Sequence, residues 1–244
     1  AQAALAQGGS RCSPVPRRGA GWPRAPRPRC SPDPRAMSWF GPEVNRTVKA
    51  SDPICFVNER DGKELFIDVG GQSCAEGGGR DLSATEGIRS MESSSFSMTT
   101  RPCCSPSAEL EYGQTVYLVI MEDTTEYYIR PMDSAPPSGN SHDAAVVMED
   151  RTPQTALEFV SMQGKSGKIR YNDVVAIKSL HTDPPTYLEV RGPGQFTNPH
   201  DVSFTQELRE ATCSFKVRYV CTIMHRERVK QWQADQQQQA VTGG

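Results

Sequence analysis

The sequence has few tryptophans, no long apolar run and almost no excess of charge of either sign. Of its 244 residues, 27 are Lys or Arg and 29 are Asp or Glu, which gives a formal net charge of −2. A protein that binds nucleic acid through its phosphates needs a basic excess, so this balance argues against that class. The longest apolar runs extend over only a few residues, too few to cross a bilayer. We therefore expect neither nucleic acid nor a membrane among the partners.

Motifs of catalysis and metal binding are missing as well. The four histidines are not spaced as zinc ligands, and the eight cysteines contain no C-x-x-C pair. This cysteine pattern favours reduced thiols in a cytosolic compartment over disulfides. Gly164-Lys165-Ser166 is similar to the end of a phosphate-binding loop, but the position of its first glycine is Phe159. We expect no enzyme activity, no cofactor and no metal.

The amino-terminal residues have an unusual composition. Residues 1–36 hold seven Arg and seven Pro, with Asp33 as the single acid. Such a segment buries too little apolar surface to offset its ordering entropy, so by itself it should be disordered. Three interpretations remain open: an organelle transit peptide, a basic arm along a partner, or a stretch that is not native, since the first methionine is Met37. We take residues 1–46 as an amino-terminal arm.

The carboxyl-terminal residues predict a helix. Residues 222–240 are rich in Glu, Arg, Lys, Gln and Ala and contain neither Gly nor Pro. His225, Val229 and Trp232 follow helical spacing and form one narrow stripe. A helix that docks through Trp232 and a solvated Gln-rich tail are both compatible with residues 222–244.

The middle of the chain contains an internal repeat. Three stretches align without a gap over nineteen residues: residues 51–69 (SDPICFVNERDGKELFIDV), 113–131 (GQTVYLVIMEDTTEYYIRP) and 172–190 (NDVVAIKSLHTDPPTYLEV). They begin 62 and 59 residues apart. Within each stretch, apolar residues spaced by two indicate a strand, a polar turn follows, and a second strand comes after it. The repeat therefore predicts three copies of one β-hairpin.

Each predicted hairpin is followed by two more strand-like runs. The first of these is irregular and falls near residues 88–91, 145–148 and 202–204. The second begins at Phe96, Phe159 or Phe215. Each unit is therefore predicted to hold four strands, and the chain twelve. We expect the apolar positions of these strands to form the core and to carry no chemistry.

A four-stranded unit repeated three times resembles the β-trefoil, in which six strands form a closed barrel and six form a hairpin cap. The third unit, with Tyr171-Asn172-Asp173 before one strand and Tyr187-Leu188 in the next, is similar to the repeat of fascin-like trefoils. The Pro-rich turn of this unit and the long insertion at 70–92 depart from that pattern. The resemblance implies an all-β fold, a single β-trefoil at residues 47–221, and a cytoskeletal partner such as actin or an axonemal microtubule assembly.

A carbohydrate-binding lectin is the alternative function. Ricin-type lectins mark each repeat with Gln-x-Trp, and no such triplet occurs within these repeats. The three tryptophans also lie outside the predicted trefoil. We therefore expect a non-enzymatic binding or structural subunit of a larger assembly, in the cytoplasm, cytoskeleton or cilium, with sugar binding as the runner-up.

Candidate contact residues lie in the arms and in the loops, where rigid scaffolds carry their binding functions. An acidic partner surface, such as that of tubulin, would suit the basic arm. Phe196 is an apolar residue inside a Gly/Pro/Asn loop, where it either tucks under the loop or serves as an exposed anchor. The predicted partner contacts are Arg17, Arg18, Arg24, Arg27, Arg29, Trp39, Phe196, His200 and Trp232.

Overall fold

The alternating apolar residues of the three repeats form antiparallel β-structure. The computed structural model describes residues 46–72, 79–100, 107–122, 125–132, 141–148, 151–192 and 200–223. The strands of these residues are, in chain order, β1 (Ile54–Arg60), β2 (Lys63–Gln72), β3 (Arg80–Glu86), β4 (Ser97–Thr100), β5 (Thr115–Glu122), β6 (Thr125–Pro131), β7 (Ser141–Val147), β8 (Leu157–Ser161), β9 (Val174–Ser179), β10 (Thr186–Val190), β11 (His200–Thr205) and β12 (Phe215–Tyr219). Every pairing between these strands is antiparallel. The all-β class expected from the sequence is confirmed.

The first and last strands of the three units close into a barrel. We number the units by their strands: unit 1 holds β1–β4, unit 2 holds β5–β8 and unit 3 holds β9–β12. Ladders join β4 to β5, β5 to β8, β8 to β9, β9 to β12 and β12 to β1. A backbone bridge between Ile54 and Phe96 joins β1 to the residue directly before β4 and completes the ring. Closure removes the free strand edges that would otherwise invite pairing with other chains.

The second and third strands of each unit form hairpins that meet beside the barrel. The hairpins are β2–β3, β6–β7 and β10–β11. Their third strands also pair with one another, β3 with β7, β7 with β11 and β11 with β3. The three hairpins therefore form one array in which each unit contacts both of the others.

A cycle of three backbone hydrogen bonds closes the opposite end. The amide of Val48 donates to the carbonyl of Ile169 at 2.9 Å, the amide of Leu110 donates to Val48 at 3.0 Å, and the amide of Ile169 donates to Leu110 at 2.8 Å. All three side chains are buried. Each comes from the segment that precedes the first strand of its unit, so the same position recurs in all three units.

Phenylalanines fill the centre of the barrel. The ring centroid of Phe56 lies 5.6 Å from that of Phe96, 5.8 Å from that of Phe159 and 6.5 Å from that of Phe215. The last three are the residues predicted to begin the closing strand of each unit, and all four are buried. The core predicted from the repeats is confirmed at these positions, and aromatic pairs in tilted and edge arrangements stabilise it.

Unit 1 differs from its sequence-based prediction. The prediction of a strand near residues 88–91 is wrong, because the third strand of this unit is β3 at Arg80–Glu86. β2 continues to Gln72, with a register shift between Val69 and Gln72, so much of the expected 70–92 loop is paired strand. Residues 91–94 are instead a short helix, since the hydroxyl of Ser90 accepts a hydrogen bond from the amide of Ser93 and caps it.

A short helical turn precedes the closing strand of each unit. These turns are α1 (Met91–Ser94), a 3₁₀ turn at Pro153–Thr155 and α2 (Glu210–Cys213). After β12 the chain turns helical again at residues 220–223, where Val220 and Ile223 pack against Cys55 on β1. This helical turn begins before the expected residue 222, and the rest of the segment predicted to be helical lies outside the described residues. No helix within the described ranges is long and apolar enough to cross a membrane.

Candidate functional site

Of the nine predicted partner contacts, His200 alone lies in the described part of the chain. Its ring Nδ1 lies 3.2 Å from the backbone oxygen of Arg191, at hydrogen-bond distance. His200 is the first residue of β11 and is half-buried, so it belongs to a paired strand and not to the loop that the sequence suggested. The other eight predicted contacts, Arg17, Arg18, Arg24, Arg27, Arg29, Trp39, Phe196 and Trp232, lie outside the described residues.

The strand register shows that His200 occupies a repeated position. His200 pairs with Ala84 of β3, and Arg80 of β3 pairs with Val146 of β7 in the same geometry. The third equivalent is His142, which pairs with β11. An aspartate follows each of the three, in the segments RDLSA, HDAAV and HDVSF. This short repeat is visible in the sequence but lies outside the longer hairpin pattern that predicts the three units.

Among the described residues no group of three His, Cys, Asp or Glu side chains is close enough to hold an ion. The three described cysteines, Cys55, Cys213 and Cys221, are free thiols, and burial raises the pKa of Cys213. The other five cysteines lie outside the described residues, and the expectation of reduced thiols stays a prediction.

Asp52 is a buried carboxylate that joins units 1 and 3. It accepts hydrogen bonds from the hydroxyl of Tyr171 at 2.6 Å and from the amide of Lys49 at 3.0 Å. Arg46 forms an ion pair with it at 3.1 Å and lies over the rings of Tyr171 and Tyr219. Burial, together with the nearby Asp52 carboxylate, raises the pKa of Tyr171. This cluster therefore keeps the tyrosine protonated and serves to hold two units together.

Asp173 occupies the equivalent position at the start of unit 3. Its carboxylate accepts hydrogen bonds from Lys165 Nζ at 2.5 Å and from the amide of Arg170 at 2.8 Å. Burial raises the pKa of Asp173, but the hydrogen bonds from Lys165 and Arg170 outweigh it and leave the pKa below its ordinary value. The matching residue of unit 2 is Gln114, so this carboxylate is absent from the junction between units 1 and 2.

Two further buried carboxylates lie on the second strands of units 1 and 3. Asp68 forms an ion pair with Arg89 Nε at 3.2 Å and accepts a hydrogen bond from the hydroxyl of Ser94. Glu189 accepts a hydrogen bond from the hydroxyl of Ser203 at 3.1 Å. These partners hold both buried carboxylates in one position, so their arrangement is that of structural contacts.

A cavity of about 120 Å³ opens between units 1 and 2. We call it the inter-unit crevice; its lining residues are Val69, Arg80, Ser90, Glu92, Ser93, Ile120, Tyr127 and Val146. The guanidinium of Arg80 lies 5.6 Å from the centre of the Tyr127 ring, a cation–π contact. Glu92 is exposed and has no ion-pair or hydrogen-bond partner in the described part of the chain. Charged, hydroxyl and apolar groups therefore meet in one depression.

A single residue difference explains why this junction stays open. In unit 1 the position that matches Ile120 is Asn58, whose amide donates to the carbonyls of Ala211 at 3.3 Å and Ser214 at 2.9 Å. These hydrogen bonds tie α2 to β1. The side chain of Ile120 has no hydrogen-bond donor, so it cannot connect α1 to β5 in the same way. The crevice lies along that untied contact.

A second depression is also lined by residues of α1. Its volume is about 260 Å³, and its lining includes Pro53, Val119, Met91 and Met121. Met91 and Met121 are 41% and 45% exposed. Glu92 lines both depressions, so α1 contributes to the mixed polar crevice and to this more apolar groove.

Several solved structures are similar to this chain in fold. No family model and no curated protein matches the sequence. A solved protein of unknown function from Caenorhabditis elegans is 16% identical with a TM-score of 0.55, over 70% of this chain and 95% of that one. The SDF2-like protein from Arabidopsis thaliana is 13% identical with a TM-score of 0.55, over 70% of this chain and 94% of that one. The S. cerevisiae protein O-mannosyltransferase Pmt1–Pmt2 complex bound to the sugar donor is 12% identical with a TM-score of 0.54, over 75% of this chain and 27% of that one.

At these levels of identity the similarity concerns the fold. The neighbours indicate a trefoil-like β fold, which agrees with the closed antiparallel barrel and its hairpin array. They carry no residue roles across to this chain.

Proposed function

We propose that the chain is a non-enzymatic binding module built on a single β-trefoil. Three features support the trefoil assignment: six strands close the barrel, three hairpins pair in a cycle, and Val48, Leu110 and Ile169 repeat one hydrogen bond in each unit. The fascin-like relationship stays a resemblance at the level of sequence pattern.

One observation carries the proposal of binding over catalysis. The four buried carboxylates described above have structural partners, whereas Glu92 and the Arg80–Tyr127 pair face an open crevice. A general acid or base needs a group that can exchange protons with a substrate. Carboxylates held in ion pairs are poorly suited to that role, and a preformed depression with several polar groups is suited to recognition.

The neighbouring structures are consistent with a recognition role. One is a botulinum neurotoxin serotype D binding domain, 11% identical with a TM-score of 0.50, over 75% of this chain and 47% of that one. The actin or microtubule partner, and a location in the cytoskeleton or cilium, have no support from these neighbours and stay predictions from sequence. A protein partner and a carbohydrate therefore both remain within the proposal.

Two binding assays run in parallel test this proposal. The full chain is sedimented with actin filaments and with microtubules, and the same preparation is applied to a glycan array. We expect saturable binding in one of the assays. An absence of saturable binding to filaments and to glycans alike would contradict a binding module of either kind.

A further inference from the structure

The helical turns that precede the closing strands are attached to the following unit in different ways. In unit 3, α2 is held to β1 by the side chain of Asn58, which donates to the carbonyls of Ala211 and Ser214. In unit 2, the carbonyl of Ala156, directly after the 3₁₀ turn, accepts a hydrogen bond of 3.0 Å from the amide of Leu180 at the end of β9. Both of these turns are therefore fixed to the next unit.

The turn of unit 1 is attached to the next unit by packing alone. Ile120 occupies the position that Asn58 has in unit 1, and its side chain carries no donor. Within the described ranges no hydrogen bond or ion pair joins α1 to β5. Residues of both elements line the two depressions of about 120 and 260 Å³. The contact between α1 and β5 is therefore incomplete, and α1 has space into which it can move.

A single buried carboxylate holds α1 to its own unit. Asp68 forms an ion pair with Arg89 Nε at 3.2 Å, just before α1, and accepts a hydrogen bond of 3.3 Å from the hydroxyl of Ser94 at the end of α1. Asp68 is fully buried, whereas 47% of the Arg89 side chain is exposed. Both ends of the helical turn thus depend on one side chain of β2.

Two fixed points limit the part of the chain that can move with α1. Ile88 packs against the apolar cluster that contains Val220. The amide of Phe96 donates to the carbonyl of Ile54 at 2.8 Å. Between these points lie the seven residues 89–95, which we call the flap. A segment with few contacts to its neighbour and one internal anchor is the kind that opens locally, at a lower free energy than the whole domain.

We infer that the flap opens away from β5 and controls access to the inter-unit crevice. In the closed state Ile120 is only 3% exposed, and opening uncovers it. Because Glu92 lines both depressions, the movement of α1 widens both of them together. The surface offered to a partner is then larger and more apolar than either depression of the closed chain. The role of this motion in access rests on the proposed binding function, whereas the motion itself does not.

Hydrogen exchange of the ¹⁵N-labelled full chain, followed by nuclear magnetic resonance without any ligand, tests the motion. The amides of Ser94 and Cys213 each lie two residues before the closing phenylalanine of their unit, and both residues are fully buried. After correction for intrinsic rates we expect Ser94 to exchange at least about tenfold faster, because α1 lacks the two hydrogen bonds that hold α2. The amide of Val48, at the closed end of the barrel, reports global unfolding and should exchange more slowly than Ser94.

Asp68→Asn tests the anchor of the flap. It removes the ion pair with Arg89, so the exchange of the Ser94 amide should accelerate at least about tenfold. The matched control is Glu189→Gln, which changes the buried carboxylate at the equivalent position of unit 3 and should leave the exchange of Ser94 unchanged.

Thiol labelling tests access to the crevice. Ile120→Cys places a thiol under the flap, and Ser179→Cys places one at the equivalent position of unit 3, which is also fully buried. Iodoacetamide modification, located by mass spectrometry of the peptides, should be at least about tenfold faster at position 120, in line with the difference in local opening.

Three results would each overturn the inference. They are equal exchange rates of Ser94 and Cys213 or of Ser94 and Val48 in the wild type, equal acceleration of Ser94 by Asp68→Asn and Glu189→Gln, and equal labelling at positions 120 and 179. The wild-type comparison needs no variant, so it decides even where a substitution prevents folding. Filament sedimentation and the glycan array decide separately whether the chain is a binding module.

Discussion

The hydroxyl of Tyr171 donates a 2.6 Å hydrogen bond to the carboxylate of Asp52, which lies 119 residues away in sequence. The bond connects the start of unit 3 to the start of unit 1, and both side chains are buried. Arg46 adds an ion pair on the other carboxylate oxygen. Units 1 and 3 are therefore joined by side chains as well as by the pairing of β1 with β12.

Removing this hydroxyl should weaken the fold. Tyr171→Phe leaves a buried carboxylate without one donor, so we expect the free energy of unfolding to fall by about 1.5–3 kcal/mol. Urea denaturation followed by circular dichroism measures the change. Tyr187→Phe is the control, because the Tyr187 hydroxyl has no hydrogen-bond partner within the described ranges; its effect should stay below about 0.5 kcal/mol. Equal losses in the two variants would show that the Asp52 contact contributes nothing.

Acid should destabilise the protein partly through Asp173. Its folded-state pKa lies below the ordinary value of 3.8, so the ionised carboxylate stabilises the fold above that pH. This contribution is lost as the pH falls through the folded-state pKa. Asp173→Asn should therefore flatten the decline of unfolding free energy below about pH 4, measured by urea denaturation at several pH values. The control is Asp61→Asn, on an exposed turn, which should leave the decline of unfolding free energy unchanged. If Asp173→Asn shows the same decline as the wild type, the prediction is refuted.

Alkaline pH should lower the free energy of unfolding through the buried tyrosines. The pKa of Tyr171 is raised above its ordinary value of 10.0, and burial together with Cys221 raises that of Tyr219 to about 12. Because the folded state favours the protonated phenols, their contribution is complete below pH 10 and declines as the pH rises above it. Tyr171→Phe should show a smaller loss of unfolding free energy than the wild type above pH 10. Equal free energies of unfolding of the wild type at pH 8 and pH 11 would contradict the predicted loss of stability.

Gly79 is required where β3 approaches β7. Its φ is +113°, and a Cβ at this position would lie 2.7 Å from the backbone oxygen of Val146. Gly79→Ala should lower the free energy of unfolding by at least about 2 kcal/mol, since strain and a backbone clash combine. Gly87 also has positive φ but open space around its Cβ position, so Gly87→Ala isolates the strain and should cost about 1 kcal/mol. Urea denaturation compares the two, and an equal loss would mean that the Val146 contact relaxes freely.

Phe56 should be among the most sensitive core positions, because it contacts the closing phenylalanine of every unit. Phe56→Ala should lower the free energy of unfolding by about 3–5 kcal/mol, the usual effect of a large cavity in a packed core. Met148→Ala is the comparison: its side chain is 72% exposed, so the loss should remain below about 0.5 kcal/mol. Thermal denaturation of the two variants beside the wild type provides the measurement.

Part of this architecture could be predicted from local pattern. The period-two spacing of apolar residues gave the hairpins, and the recurrence of Phe96, Phe159 and Phe215 gave the closing strands, because both follow from alternation along a strand. The turn at Asp61-Gly62 has positive φ at both residues, as an Asp-Gly pair predicts. The third strand of unit 1 was misplaced because its residues alternate weakly.

The candidate site was harder to predict. Arg80, Glu92 and Tyr127 come from three elements of two units and share no spacing that a sequence pattern could reveal. The same holds for Tyr171 and Asp52. Their meeting depends on how strands of different units pair around the closed barrel.

The sequence by itself determined that the chain forms β-strands in three similar units, since alternation and turn chemistry act between near neighbours. Only the tertiary structure decided which junction is filled and which stays open. Asn58 and Ile120 occupy equivalent places in the repeat, but only Asn58 carries a donor that reaches the carbonyls of the adjacent helical turn. Whether such a donor finds an acceptor depends on distances across the barrel, which the order of residues along the chain does not contain.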